Sequence, residues 1–142
     1  MLIKNLKNKI FIGTASIPDK YLSKEKEDYL LLTLDNVNEN SFFCRDNDSY
    51  ISYKKLRKLN LTSRIIQYGD FLIFRKAEKY FMLRYDNQLG TKIIPTADFI
   101  VLRTVGGNYF KNFVEDIDGR LYFLDKLNQL YKQYDDAGFI KN

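Results

Sequence analysis

The sequence predicts an α+β fold: a single domain over 1–142, with a twisted mixed or antiparallel sheet of short strands and a C-terminal helical segment. Three observations predict it. Through residues 1–107, short apolar runs recur between clusters of Gly, Asn, Asp and Ser, the pattern of strands and turns. From residue 108 the apolar positions recur at three- and four-residue spacing: Phe110, Phe113, Val114, Ile117, Leu121, Leu124, Leu127, Tyr131 and Tyr134. That is the stripe of one amphipathic helix or two. Finally, 142 residues can bury one proper core, whereas two domains would each be small.

The elements follow in order. Residues 9–12, Lys-Ile-Phe-Ile, form a short strand stopped by Gly13, and "GTASIPDKY" is a loop with Pro18 and Asp19 as turn residues. A charged, exposed stretch, "SKEKED", leads into an apolar strand over 29–34, ended by Asp35-Asn36. "NVNENSFF" turns into a further short strand over 41–44, and "RDNDS" is a loop. Residues 52–60, "SYKKLRKLN", predict a short helix: Leu56 and Leu59 share a face, and the Ser52 hydroxyl is placed to accept an amide hydrogen bond as N-cap. "SRIIQYGDFLIFRK" reads as strand, Gly69-Asp70 turn and strand. A further strand in "EKYFMLRY" stops at Asp86-Asn87 and Leu89-Gly90. Last come a short strand interrupted by Pro95, the run 99–102, and a Gly106-Gly107 stop. Six or seven strands therefore precede the tail, where Asn108 is a fair N-cap and Asp118-Gly119 divides the helical pattern. Phe71, Ile73, Phe99 and Val101 are expected in the core. Tyr50 and Tyr53 are expected to cover it, with base stacking as the alternative. The tail stripe has two readings: it packs on the domain's own sheet, or it docks on a partner or a second copy.

Composition excludes several chemistries. There is no histidine, which removes Ser-His-Asp and Cys-His catalysis and the commonest metal ligand. The one cysteine, Cys44, has no partner for a disulfide and is expected to be a small core residue. No Lys has Asp, Glu or Gln two positions before it, so the Glu-x-Lys core of common metal-dependent nucleases is missing. There is no glycine-rich phosphate loop, and Pro18 and Pro95 are too far apart for a methyl-transfer Pro-Pro motif. Glu115-Asp116 and Asp135-Asp136 are adjacent on a predicted helix, so their side chains diverge. No cofactor and no metal are expected. With no apolar run long enough to span a bilayer and none resembling a signal peptide, a soluble cytoplasmic protein is expected.

The charge is uneven. Residues 1–48 carry seven Lys/Arg against eight Asp/Glu, 49–92 carry ten against three, and 108–142 carry five against six. The net +5 therefore comes from the middle third, a field suited to a polyanion.

The order of Ile12-Gly13-Thr14, "YLLLTLDNVNENSFF", "YISYKKL", "IIQYGDFLIFRK" and "KIIPTADFIVLRT" resembles the target recognition domain of the DNA specificity (S) subunit of type I restriction–modification systems. The pairing of a Gly-Asp-Phe-Leu-Ile strand with a later Phe-Ile-Val-Leu-Arg strand is the chief likeness, and the resemblance spans about residues 10–130. The chain departs from the family at 76–79, which lack glycine. It also shows one recognition-like domain, where specificity subunits have two separated by long helices. The resemblance implies sequence-specific double-stranded DNA binding to a half-site without catalysis, in the service of modification (methyltransferase) and restriction subunits.

The expected DNA contacts are the cluster Lys54, Lys55, Arg57 and Lys58, together with Arg64 and the cations of the 68–85 hairpin: Arg75, Lys76, Lys79 and Arg84. Lys offers a point charge to phosphate, and Arg forks onto guanine. Arg103, a lone cation in a strand, is a weaker candidate. Self-association through the C-terminal helix is a further expected contact. The rival class is a protein-interaction module, such as a phage or mobile-element factor that engages a bacterial defence complex by resembling its specificity subunit.

Overall fold

The computed structural model describes residues 10–14, 17–77 and 79–103, the side chains of Ile10, Lys79 and Tyr80 excepted. The helical segment expected over 108–142 lies outside them. The described elements are β1 (Ile10–Ile12), β2 (Tyr29–Leu32), β3 (Tyr50–Ile51), α1 (Tyr53–Lys58), β4 (Phe71–Lys76), β5 (Lys79–Arg84), β6 (Lys92–Pro95) and β7 (Phe99–Leu102). They form a mixed α+β domain of two sheets. The four-stranded sheet runs β1-β7-β4-β5 and is antiparallel throughout. The three-stranded sheet runs β3-β2-β6, with β2 antiparallel to β3 and parallel to β6.

The two sheets pack face to face. Alternate residues of a strand point to opposite faces, so Leu30 and Leu32 of β2 and Ile93 of β6 meet Phe11, Leu72, Phe74, Phe99 and Val101 of the other sheet in one apolar cluster. Phe74 lies edge-on to Phe99, ring centroids 5.6 Å apart. The reverse face of the three-stranded sheet is also covered: Tyr29, Leu31 and Ile94 pack with Leu56 of α1 and Ile51. With both faces buried, β2 reads as an unbroken apolar run rather than an alternating one. The four core residues expected from the sequence, Phe71, Ile73, Phe99 and Val101, are all buried.

The chain crosses between sheets at the end of β6. Pro95 does not interrupt this strand; it pairs with Leu32 as its last residue. Thr96 N–H then donates to Leu32 O, Phe99 N–H donates to Thr96 O, and β7 begins. Gly13 sits against this corner, where a Cβ would come 2.0 Å from Thr96 O. Only glycine fits so close an approach without moving the backbone.

Three expectations are corrected. Residues 41–44 form no strand: Phe42 makes a single bridge to Val37 and packs edge-on against Tyr85. Cys44 is exposed rather than in the core. Residues 64–67 form no strand either; a 3-10 turn, Thr62–Arg64, is followed by extended chain tied down by Ile66 N–H to Ile93 O. In each segment irregular backbone sends an apolar side chain, Phe42 or Ile66, into the core, and so short an apolar run does not by itself separate such a loop from a strand.

Candidate nucleic-acid interface

α1 is short, and its boundaries follow local rules. Ser52 Oγ accepts from Lys55 N–H at 3.3 Å, the capping bond expected from sequence. Asp28 Oδ2 accepts from Tyr53 N–H at 2.9 Å, tying the first turn to the approach to β2. After Leu59 the chain reverses through Asn60, at φ 59. A six-residue helix has little stability of its own, so burial of Leu56, 0% exposed, fixes which face points out.

That outward face is cationic. Lys54, Arg57 and Lys58 are exposed and line an open depression of about 410 Å³ with Tyr53. Positions 53 and 57, and 54 and 58, are i,i+4 neighbours, so the four side chains form two adjacent rows. Tyr53 is 45% exposed, not a cover for the core as expected, although its ring lies 6.3 Å from Tyr29. Tyr50 is packed against the core. Lys58 Nζ lies 5.9 Å from the Tyr21 ring centroid and Lys20 Nζ lies 5.3 Å from it, so the patch gains a fourth cation from the 3-10 turn Asp19–Tyr21. Lys55 is directed elsewhere, 4.0 Å from Glu27 Oε1. Among the described residues no acidic group pairs with Lys54, Arg57 or Lys58.

The other expected contacts do not join this patch. Arg64 is buried, 8% exposed, with its guanidinium 5.7 Å from the Phe11 ring centroid. The hairpin cations divide between its two ends. Lys76 pairs with Lys79 at the tip and Phe71 pairs with Arg84 at the base, five positions apart, roughly 16 Å of extended strand. Ala77, in the turn after β4, takes φ 50. Lys76 Nζ donates to Leu34 O at 2.9 Å and Val37 O at 2.8 Å, so its charge holds the hairpin tip to the turn after β2. Arg84 Nε lies 3.1 Å from Asp86 Oδ1. Arg75 is exposed near the tip, and the side chain of Lys79 lies outside the described residues. Arg103 belongs to the interior: it meets Asp70 Oδ1 at 3.0 Å and Oδ2 at 2.9 Å, donates to Ile65 O at 3.1 Å, and stacks 5.1 Å from the Phe11 ring centroid.

Sequence reasoning thus finds the α1 cluster, because its members are contiguous, and misses Lys20 and Tyr21, which only the fold brings to it. Among the described residues no group of His, Cys, Asp and Glu could hold a metal ion, and no helix is long and apolar enough to cross a membrane. Compared with models of known families and with curated proteins, the sequence matches none.

Proposed function

We propose that this chain is a non-catalytic, cytoplasmic DNA-binding module of the kind found in type I specificity subunits, and that it binds double-stranded DNA through the outer face of α1. A module of this kind recognises a half-site and brings modification and restriction subunits to it. The observation that carries the reading is the α1 patch: Lys54, Arg57 and Lys58 exposed side by side, with Lys20 adjacent and no acidic partner among the described residues. Three unneutralised cations on one short helix, with a fourth on the neighbouring 3-10 turn, suit phosphate oxygens, whose binding releases condensed counterions.

The test is duplex binding by fluorescence anisotropy on a random-sequence pool over a range of salt. Three phosphate contacts give a log–log slope of affinity against salt of about −2.7. The Lys54→Ala/Arg57→Ala/Lys58→Ala variant should lose most of that slope and bind weakly to every sequence. A wild-type chain that does not bind duplex at low salt overturns the reading and points to the protein-interaction class, in which affinity for a protein subunit is the quantity to measure.

A further inference from the structure

We propose that base identity is read at the turn over 37–41, beside the β4–β5 hairpin tip, with Asn40 and Glu39 as the specificity-determining side chains. This rests on the DNA-binding reading and adds a second, chemically different contact to it. The place is an open depression of about 410 Å³ lined by Asn38, Glu39, Asn40, Lys76, Ala77 and Phe81. It differs from the α1 patch in charge. Its one described cation, Lys76, has its ammonium against the Leu34 and Val37 carbonyls, while Glu39 adds a negative charge at the surface. Phosphate is therefore a poor ligand here, and a neutral group with donors and acceptors is a good one.

The turn is built to hold such groups still. Asn38 Oδ1 accepts from Asn40 N–H at 2.8 Å, Ser41 N–H at 2.8 Å and Ser41 Oγ at 3.0 Å. Val37 and Phe42 bridge across its base, and Asn38 N–H donates to Ser41 O at 3.0 Å. Asn38 is thus consumed by the turn. Glu39 and Asn40 are exposed and make no side-chain hydrogen bond among the described residues. A carboxamide presents a donor and an acceptor side by side, the pattern that pairs with the adenine N6/N7 edge. A carboxylate accepts from the cytosine N4 amino group. Phe81, its ring tilted 32° to that of Phe74 with centroids 5.7 Å apart, provides an apolar wall on which a thymine methyl can rest.

The experiment is selection of bound duplexes from a random pool, run with wild type, Asn40→Ala and Glu39→Ala, with random-pool affinity measured in parallel. Circular dichroism checks that the variants remain folded; neither removes a hydrogen bond that holds the turn. The expected result is a wild-type consensus in which one or two base pairs become degenerate in a variant. Affinity for the wild-type consensus should fall about tenfold, while random-pool affinity is kept. An unchanged consensus in both variants overturns the proposal, as does a uniform loss of affinity with the consensus intact. If the wild type binds duplex in a salt-dependent way but selects no sequence, this proposal falls and phosphate binding by α1 stands. If the wild type does not bind, both fall.

Discussion

Asp70 shows how a residue that reads as a turn carries a structural load. It follows Gly69, which takes φ 86, and its Oδ2 accepts from Gln67 N–H at 2.8 Å as a turn aspartate would. Yet it is only 2% exposed, and both oxygens face the Arg103 guanidinium. Removing one partner of such a pair leaves the other buried and uncompensated, which costs several kcal/mol. The Arg103 side chain keeps 21% exposure, so the cost should be about 2–4 kcal/mol rather than more. Asp70→Asn and Arg103→Met should each lower the unfolding free energy, obtained from denaturant titration, by that amount. In the double variant the two effects should fall short of their sum by at least about 1 kcal/mol. Strict additivity would show that the pair is not coupled. Neither residue was legible as a partner in the sequence, because 33 positions separate them and no local pattern joins a Gly-Asp turn to a cation after a later strand. Arg64 misleads in the same way: its charge is plain in the sequence, and its place over Phe11 is not.

Elements were easier to anticipate than contacts. β2, β4 and β7 stand out because strands buried on both faces are near-continuous apolar runs, β5 because its apolar run is bounded by turn residues, and α1 because its cap, Ser52, and its inward leucine obey local rules. The segments over 41–44 and 64–67 resemble strands in sequence because Phe42 and Ile66 fill the core from irregular backbone. The dependence of α1 on tertiary packing gives its own prediction. Leu56 lies between Tyr29, Leu31, Ile51 and Ile94, and Leu56→Ala should cost about 2–5 kcal/mol. With so short a helix, the cost should appear first as loss of amide protection over Tyr53–Lys58. Duplex affinity should fall although every cation is retained. Full affinity together with unprotected α1 amides would show that the cations bind as a flexible charged segment, and that their rows on the helix do not matter.

The molecule as a whole separates two kinds of surface. α1 is tied to Asp28, just before β2, and the hairpin tip to Leu34 and Val37, just after it. The cationic patch and the turn over 37–41 are therefore spaced by the length of β2 and its flanks, roughly 20 Å. That spacing leaves room for phosphate contact and base reading at separate places on one duplex. Between them lies a core whose tyrosines set how the domain responds to alkali. Burial raises the phenol pKa of Tyr29, Tyr50 and Tyr85 above the usual 10.0, with like charges such as Asp28 beside Tyr29 and Asp48 beside Tyr50 adding to it. Tyr85 also donates to Thr91 O at 2.7 Å, a bond the phenolate cannot make. The folded state thus holds these protons more tightly than the unfolded chain. Their contribution to stability is fully present below pH 10 and is lost as pH rises through their higher folded values. The chain has no histidine to titrate near neutrality. On the alkaline side the denaturant midpoint should therefore fall steeply not near neutrality but above about pH 10, where phenolate absorbance from at least these three rings should lag until the protein unfolds. Tyr85→Phe should lower stability at neutral pH by about 1 kcal/mol, through loss of the bond to Thr91, and should flatten the alkaline decline. A decline as steep in Tyr85→Phe as in wild type would remove Tyr85 from this account and leave Tyr29 and Tyr50, at the two ends of the β2–β3 pairing, to carry it.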